Sequence, residues 1–273
     1  MAIVTLTQHP GTRYLELGRM TAERLEYRFL TADQLIAQTS KQYQVTPEQL
    51  VIVDERRPHF WERLKTDTER FVAFFRAAVL KEMARDRLVI VGRSVAQMLP
   101  DYGCGVRVRL VAPLKDRAGE VALEEKLAPA VAERRVRDYD REMRARIQTL
   151  LGVDIDDPVN YTIALNTFAL PLQVSAGMLA GLAEDIDRIA QPDQWRKMRD
   201  AALAAEVRAA LMLHPKIGHA PLDVHCASGA VHVNGPGLVP PWDGLINDVV
   251  RGVEGVKSVE VVAEEHLVPV RPN

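Results

Sequence analysis

The sequence has few cysteines and no segment typical of a membrane span or an export signal. Its two cysteines, Cys104 and Cys226, stand far apart and match no metal-ligand spacing, so we expect neither a disulfide framework nor a zinc site. No run of about 18 apolar residues occurs. The first residues also lack a basic stretch followed by a long apolar one. These absences predict a protein of the reducing cytoplasm.

The chain also lacks an excess of either charge. It carries 35 lysines and arginines against 37 aspartates and glutamates, which gives a formal net charge of -2. Such a chain has no overall field that draws nucleic acid or an anionic membrane, and only local basic patches remain for such contacts. We therefore expect no nucleic-acid partner.

What the chain does have is ample material for a folded core. Its 273 residues are 47% hydrophobic and 26% charged, as in ordinary globular proteins. This length suits a large domain followed by a smaller one. A polar break at Gln191-Pro192-Asp193-Gln194 separates two patterns. We place the first domain at residues 1–190, a linker at 191–197 and the second domain at 198–267.

The segment Leu88-Val89-Ile90-Val91 predicts the central strand of a sheet. It has no polar face, which suits a strand that is buried on both sides, as in parallel α/β sheets. The run ends at Gly92, where backbone can approach a ligand, and at Arg93, whose planar fork suits phosphate. Ligands of open α/β sheets lie beyond the carboxyl ends of the strands. Gly92 and Arg93 are therefore candidate phosphate contacts; the alternative is that Arg93 merely opens a loop.

A strand, a loop and a helix follow one another at the start of the chain. Ala2–Leu6 is rich in β-forming residues, and helical spacing begins at Leu15. The loop between them is where a phosphate-binding loop would lie, because a helix N-terminus offers unpaired N–H groups. Its candidate residues are Gly11, Thr12 and Arg13. A phosphate loop usually needs several glycines and often a lysine, which this loop lacks.

A dense run of charges occupies a predicted helical region from Leu123 to Leu151. Arg137, Arg141 and Arg144 lie four and three residues apart and so share one helical face, near Asp140. Two interpretations stay open. The charges form surface ion pairs of a solvated helix, or the arginines belong to a mobile lid that closes over phosphates.

Strands and helices alternate along the first 190 residues. Further strands are predicted at Val106–Pro113 and Tyr161–Thr167, and amphipathic helices at Thr68–Arg85 and Leu172–Ile189. This alternation predicts an α/β domain built on a doubly wound parallel sheet.

Several segments of this region share their order and spacing with one known family. They are Ala22-Glu23-Arg24-Leu25, Val45–Leu50, Val89–Arg93, Val108–Leu114, Asp140-Arg141 with Arg144, Gly152–Pro158 and Asn166-Thr167. Together they resemble the cytidylate kinase-like family, relatives of nucleoside monophosphate kinases with a P-loop fold. The resemblance implies an arginine-bearing helical lid beside the sheet. It also implies ATP with Mg2+ as cofactor and transfer of the terminal phosphoryl group to a nucleoside monophosphate.

The first loop departs from this family. Where the family has a sequence like Gly-Ser-Gly-Gly, this chain has Gly11-Thr12-Arg13-Tyr14, without the two later glycines or a lysine. Loss of that backbone cradle removes positioning and charge neutralisation from phosphoryl transfer. The sequence therefore favours a nucleotide- or phosphate-binding regulatory or scaffolding protein. The alternatives are an active nucleoside monophosphate kinase that uses Arg13, Arg93 and the lid arginines, and an interaction protein without a nucleotide.

The C-terminal segment predicts a helix, a β-hairpin, a helix and a strand. Two alternating runs flank a Ser228-Gly229 turn, and a helix at Trp242–Arg251 and a strand at Val256–Val262 follow. Through Gly229–Gly235 and Val253–Val259 this segment resembles a BON domain, a small α+β module associated with binding phospholipid, other ligands or partner proteins. The resemblance implies attachment to a protein partner, to another copy of the chain or to a phospholipid surface.

The predicted hairpin places two histidines opposite each other. If Ser228 and Gly229 form the turn, His225 faces His232 on the outer side. Such a pair can bind a metal ion; the alternative is that both are exposed polar positions. No fixed ligand motif accompanies the pair, so we expect no metal site.

Overall fold

The computed structural model describes residues 2–54, 65–236 and 241–264. The last residues of the predicted second domain, 265–267, lie outside this description. Two sheets organise the described residues, one of five strands and one of three, which we call sheet A and sheet B. No helix in these ranges is long and apolar enough to cross a membrane.

Sheet A is parallel throughout. Its strands are β1 (Ile3–Thr7), β2 (Arg28–Thr31), β3 (Leu88–Gly92), β4 (Gly105–Val111) and β5 (Ile163–Asn166), in the spatial order β2-β3-β1-β4-β5. Every residue of β1 and β3 is buried. β3 is an uninterrupted aliphatic run, and the two threonine hydroxyls of β1 donate to backbone carbonyls of β4. The predicted α/β class is confirmed. Leu88–Val91 is an interior strand of the sheet, but β1 and not β3 occupies the central position.

Helices cover both faces of sheet A. Those before residue 190 are α1 (Tyr14–Leu25), α2 (Ala32–Tyr43), α3 (Pro47–Asp54), α4 (Lys65–Ala84), α5 (Val95–Met98), α6 (Leu114–Glu125), α7 (Pro129–Leu151) and α8 (Leu172–Ile189). α1 and α8 pack together on one face, and α2, α4 and α5 share the core of the other. Pro129 begins α7, because a proline breaks a helix internally but fits its first turn. The predicted region 123–151 is therefore two helices.

The strand order brings the carboxyl ends of several strands to one edge, which we call the carboxyl edge. β1 lies between β3 and β4, so the chain crosses over β1 when it passes from β3 to β4. Thr7 pairs with Gly92, and Val111 pairs with Asn166. In sheets of this kind the crevice beside such a reversal receives the ligand.

Helix α9 (Pro192–Leu213) belongs to two hydrophobic cores. Trp195 and Met198 are buried in the core that contains α4, whereas Val207 and Leu211 are buried under sheet B. Residues 192–197, which the sequence assigns to a linker, form the first turns of this helix. A continuous helix therefore joins sheet A and its helices to the C-terminal part.

Sheet B forms the predicted C-terminal hairpin and adds one strand to it. Its strands are β6 (Asp223–Ala227), β7 (Ala230–Pro236) and β8 (Ser258–Glu264), in that order, with α10 (Trp242–Arg251) packed beside them. β6 and β7 are antiparallel, and the φ angles of Ser228 and Gly229 are 53° and 88°, as a two-residue hairpin turn requires. β8 pairs parallel with β7. The order helix, hairpin, helix, strand is confirmed.

Candidate functional site

The carboxyl edge gathers buried polar side chains. His9 follows β1, Ser94 follows β3 and Thr167 follows β5, and each is at most 5% exposed. Within the described residues, neither ring nitrogen of His9 and neither hydroxyl has a hydrogen-bond partner. Buried polar atoms are rarely left unpaired, because each one costs about 1–3 kcal/mol. Three such side chains, each beyond a strand end of sheet A, mark this edge as the candidate site.

His9 lies beside an ion pair between α6 and α7. Its Nδ1 is 3.6 Å from Oδ1 of Asp140, whose two oxygens accept hydrogen bonds from Nη2 of Arg117 at 2.9 and 2.8 Å. Burial lowers the pKa of His9; Asp140 opposes this effect, while the charges of Arg109 and Arg117 add to it. The imidazole is therefore neutral at pH 7 and offers one N–H donor and one acceptor nitrogen.

Asp140 stays ionised in this setting. Burial raises its pKa, but the contacts with His9 and Arg117 outweigh burial, so the pKa lies below the ordinary value. The Arg117 side chain is 9% exposed and that of Asp140 is 29% exposed. Removing one partner of so buried a pair leaves the other charge uncompensated, at a cost of about 3–5 kcal/mol. The pair thus holds α6 and α7 together beside His9.

The backbone of Arg117 closes the loop between β1 and α1. Gly11 has a φ of 71°, and a Cβ added there would lie 2.2 Å from the carbonyl oxygen of Arg117. Only glycine fits so close to another backbone. The hydroxyl of Thr12 donates to the carbonyl oxygen of His9 at 2.8 Å and is thus engaged inside the loop. The loop packs against α6 and does not form an open anion cradle.

Arg13 lies outside this closed loop. It is exposed and donates from Nη2 to Glu16 at 2.9 Å. A surface depression of about 470 Å³ beside it is lined by Glu16, Glu120 and Glu124. Three carboxylates around one arginine repel phosphate. Residues 8–13 therefore do not fit ATP with Mg2+, because they supply no glycine cradle, no lysine and no disengaged Thr12 hydroxyl.

The end of β3 is tied to the predicted lid helix, α7. Arg93 is buried, its Nε donates to the hydroxyl of Tyr139, and its guanidinium carbon is 5.1 Å from the centre of that ring. Gly92 has a packing reason to be glycine, because a Cβ there would lie 2.8 Å from a methyl group of Val95 and 2.9 Å from Cβ of Ala32. Arg93 therefore reaches the carboxyl edge but already carries an aromatic partner.

Two of the three predicted lid arginines pair on the surface of α7. Arg137 donates to Glu133 at 2.7 Å, and Arg141 donates to Asp138 at 2.7 Å. These are spacings of four and three residues along one helix, and both arginine side chains are exposed. This geometry is that of a solvated helix with surface ion pairs. Neither arginine contacts His9, Arg93 or Asp140 in the contacts described.

The third predicted lid arginine reaches beyond α7. Arg144 donates to one oxygen of Asp156, and Arg109 of β4 donates to the other. Burial raises the pKa of Asp156, but the hydrogen bonds and charges of the two arginines bring it below the ordinary value. Arg109 also lies 5.5 Å from the ring centre of Tyr161. Asp156 thus connects the end of α7 to the edge of the sheet.

Six residues of this site were not predicted as site residues: His9, Ser94, Arg109, Arg117, Asp156 and Thr167. His9 had a usable signal, because it is a polar residue two positions beyond a buried strand. Arg117 had none, because it is one of several charged residues on an ordinary amphipathic helix. Only the packing of α6 against Gly11 brings it to β1, and that contact is long-range in sequence.

The histidine pair of sheet B has the predicted geometry. His225 and His232 are cross-strand partners. His225 contacts Asp223 at 2.9 Å, and His232 contacts Glu260 at 2.8 Å. Among the residues that the structure describes, no group of three or more histidines, cysteines, aspartates or glutamates is arranged to hold a metal ion. Each histidine has a carboxylate partner of its own instead.

Comparisons with known proteins extend these observations. The chain is similar to the cytidylate kinase of Halobacterium salinarum, with 23% identity over 167 residues that cover 60% of this chain and 80% of the relative. It is similar to the cytidylate kinase of Thermococcus kodakarensis, with 24% identity over 165 residues that cover 60% and 79%. An uncharacterized protein from Eubacterium ventriosum has a similar fold, with a TM-score of 0.52 and 12% identity over 67% of this chain and 99% of that one.

A shikimate kinase from Bacteroides thetaiotaomicron aligns with a TM-score of 0.44 and 16% identity, over 67% of this chain and 98% of that one. At these identities the solved structures concern the fold alone. The model of the cytidylate kinase-like family matches residues 3–169, which is more than half of the 273 residues. The match includes sheet A, the closed loop and the α6–α7 segment. The chain belongs to the cytidylate kinase-like family.

Proposed function

We propose that this protein binds a phosphate-bearing ligand, either a nucleotide or inorganic phosphate, at the carboxyl edge and acts as a regulatory or scaffolding protein. The observation that carries the proposal is the set of buried polar atoms without partners on His9, Ser94 and Thr167. A phosphate group carries several strong acceptor oxygens, which two hydroxyls and an imidazole N–H can share. His9 and Ser94 follow the neighbouring strands β1 and β3, so one anion reaches both, whereas Thr167 follows β5, two strands from β1, and contacts another part of the ligand.

Arginines at the same edge supply the positive charge. Arg109 and Arg117 both act on His9 electrostatically. The Nη1 of Arg109 and the Nε of Arg117 are buried and lack a hydrogen-bond partner within the described residues. A charge-assisted hydrogen bond contributes about 1.5–3 kcal/mol. Two of them correspond to about 3–6 kcal/mol, that is, a dissociation constant of roughly millimolar order or somewhat lower.

Phosphoryl transfer is expected to be negligible. It needs reacting atoms held about 3–3.5 Å apart and in line, with the developing charge neutralised. The closed loop at Gly11 provides no cradle for a triphosphate, since the Arg117 carbonyl occupies the space beside it. An active nucleoside monophosphate kinase that uses Arg13, Arg93 and the lid arginines is the alternative, and it is favoured by the names of the two related cytidylate kinases.

Calorimetry on the full chain tests the binding site. We expect cytidine monophosphate and inorganic phosphate to bind weakly to the parent protein. Arg117→Met should abolish this binding, whereas Arg141→Met, which removes an exposed arginine from the neighbouring helix, should leave it unchanged. Equal affinities of the parent and of Arg117→Met would contradict the proposal.

A second variant tests the site without breaking an ion pair. Ser94 is 1% exposed and its hydroxyl has no partner in the described part of the chain. Ser94→Ala should therefore leave the melting temperature unchanged or raise it, because an unsatisfied polar group is removed. The same change should weaken phosphate binding severalfold. A lower melting temperature with unaltered binding would show that the hydroxyl serves the fold and not a ligand.

A turnover assay separates the two functions. The parent protein is incubated with ATP, magnesium and each common nucleoside monophosphate, and the diphosphate is measured. We expect no multiple-turnover conversion. Conversion over many turnovers would establish the kinase and overturn the regulatory function.

The C-terminal part is assigned the role of attachment. The helix, hairpin, helix and strand of residues 192–264 match the element order of the BON domain that the sequence resembles. Trp242 is 39% exposed and Val262 is 43% exposed, so apolar side chains are available for contact. The double variant Trp242→Gln with Val262→Gln should reduce vesicle sedimentation or self-association if either is the mode of attachment. If the double variant retains both vesicle sedimentation and self-association, a protein partner is the remaining mode of attachment.

A further inference from the structure

A groove of about 800 Å³ runs between the kinase-like part and sheet B. Its floor is the seam between α4 and α9, where alanines keep the surface low, and its far wall includes Pro100 and Tyr102. The alanines of the floor are Ala73, Ala201, Ala204 and Ala205. A cleft of this size is comparable with known ligand clefts, which measure about 300–1,000 Å³.

The near wall of the groove is the free edge of strand β6. Every residue from Leu222 to Ser228 lines the groove. Successive side chains of a strand point to opposite faces. A cavity that touches all of them in succession therefore runs along the edge of the strand and not across one face. β6 is also the outermost strand of sheet B, which has the order β6-β7-β8.

The edge of β6 presents backbone groups to the groove. Ala227 and Ala230 flank the two-residue turn, so they form a hydrogen-bonded pair, as do His225 and His232 two positions on. The backbone groups of the intervening residue, Cys226, therefore face away from β7 and into the groove. The outward N–H of Val224, next along this edge, is covered by Oδ1 of its neighbour Asp223 at 3.1 Å. Five residues of strand span about 17 Å.

The groove is positively charged. Its lining includes Arg76, Arg196, Lys197 and Arg208 against Asp200 and Asp223. Arg196 and Lys197 pair with Asp193, so the excess charge rests on Arg76 and Arg208. Both carboxylates are engaged locally: Asp200 accepts from the N–H of Ser228 at 2.9 Å, and Asp223 contacts His225 at 2.9 Å.

Two of these arginines stand at the middle of the seam. Arg76 of α4 is exposed and forms no ion pair within the described residues. Arg208 of α9 is half-buried and makes no hydrogen bond there, although Asp223 and Glu69 act on it electrostatically. Burial lowers the pKa of Arg208, and the charges of Asp223 and Glu69 oppose this effect. Both arginines also line an adjoining cavity of about 540 Å³ along the same seam.

We propose that this groove binds an extended, acidic peptide segment of a partner protein, which adds as a strand to the free edge of β6. Strand addition satisfies the backbone groups of Cys226, and acidic side chains of the peptide pair with Arg76 and Arg208. The proposal rests on the attachment role given to the C-terminal part and names its surface and its partner. It does not depend on the phosphate site, which lies at the carboxyl edge of sheet A.

The test uses the full chain and a fluorescein-labelled heptapeptide that alternates glutamate and valine. Binding is followed by fluorescence anisotropy, and amide hydrogen exchange reports which strand is protected. We expect saturable binding, weaker at high salt, with slower exchange at Cys226. A peptide of alternating lysine and valine should not bind, because it places like charges against Arg76 and Arg208.

Two comparisons assign the binding to the groove. The double variant Arg76→Glu with Arg208→Glu should raise the dissociation constant at least tenfold. The matched pair Arg134→Glu with Arg188→Glu, which changes the net charge equally on exposed helices elsewhere, should not. An N-methylated version of the acidic peptide should also bind at least tenfold more weakly, and this comparison leaves the protein unaltered.

Each outcome decides the inference. The proposal is wrong if the acidic peptide shows no saturable binding or if its methylated version binds equally well. It is also wrong if the Arg76 and Arg208 variant binds the peptide with unaltered affinity. If binding is instead lost in the Trp242 and Val262 variant, attachment stands and the groove is wrong. If the protein binds vesicles or self-associates but does not bind the peptide, attachment likewise stands and the groove is not its site.

Discussion

The proton affinity of His9 gives the most detailed test of how this site is built. His9 is 5% exposed and lies beside Asp140. Its pKa is lowered chiefly by burial, and the charges of Arg109 and Arg117 lower it further. In the unfolded chain a histidine has a pKa of about 6.5. Between pH 6.5 and the folded pKa, the unfolded state therefore binds a proton that the folded state does not.

The sign and size of the effect follow from this difference. The stability contributed by neutral His9 is fully present above pH 6.5 and is lost as the pH falls towards the folded pKa. The limiting slope is about 1.4 kcal/mol per pH unit for one proton. From pH 7.5 to pH 5.5 the loss reaches at most about 1.4 kcal/mol, because the unfolded histidine is only about nine-tenths protonated at pH 5.5. Asp140 adds nothing in this range, since its pKa lies below the ordinary value.

Urea unfolding of the parent and of His9→Gln at pH 7.5, 6.5 and 5.5 measures the effect. The chain contains 7 histidines, so only the difference between the two proteins isolates His9. We expect the parent to lose about 1 kcal/mol more than the variant between pH 7.5 and 5.5. Parallel pH profiles for the two proteins would refute the assignment of a buried, neutral His9.

Three further predictions concern the loop, the ion pair and the C-terminal part. Gly11→Ala should lower the stability by about 2–4 kcal/mol through backbone strain and overlap with Arg117, whereas Gly119→Ala, on a helix with open space around it, should be neutral or stabilising in thermal melts. Asp140→Asn should cost about 3–5 kcal/mol in urea unfolding, and Asp138→Asn, which breaks only surface pairs, less than about 1 kcal/mol. A fragment of residues 195–267 should unfold cooperatively but self-associate, since its first turns expose side chains that otherwise pack on α4. An amide spectrum without dispersion, or a strictly monomeric fragment in ultracentrifugation, would contradict this.

Much of the fold could be predicted from the sequence, because its signals are local. The apolar run Leu88–Val91 specified a strand buried on both faces. Pro129 interrupts the predicted helical region, and α7 begins there. The hairpin turn at Ser228 and Gly229 fixed the pairing of His225 with His232. Each of these depends on neighbouring residues only.

The site was less predictable, because it is assembled from contacts distant in the sequence. The backbone of Arg117 contacts the loop at Gly11, although the two residues are 106 positions apart in the sequence. No residue pattern predicts that contact. The missing glycines after Gly11 indicated that no cradle would form, but not that α6 would fill the space. Arg137 and Arg141 share a face as predicted, yet carboxylates one turn away already pair with them.

The α9 helix shows the same limit for domain boundaries. A polar break at residues 191–194 has the composition of a linker, yet Gln191 and Gln194 form a reciprocal capping box that begins a helix of 22 residues. The polar residues therefore cap a helix inside the segment that was predicted as a linker. Composition alone does not distinguish these two uses.

The most direct measurement for the central claim follows the His9 imidazole by nuclear magnetic resonance while inorganic phosphate is added. We expect the His9 signals to shift and saturate at millimolar phosphate, the pKa of His9 to rise because the anion favours the charged ring, and Arg117→Met to abolish both effects. If phosphate binds the protein while the His9 signals and pKa stay unchanged, the ligand site is not at the carboxyl edge and the account is wrong.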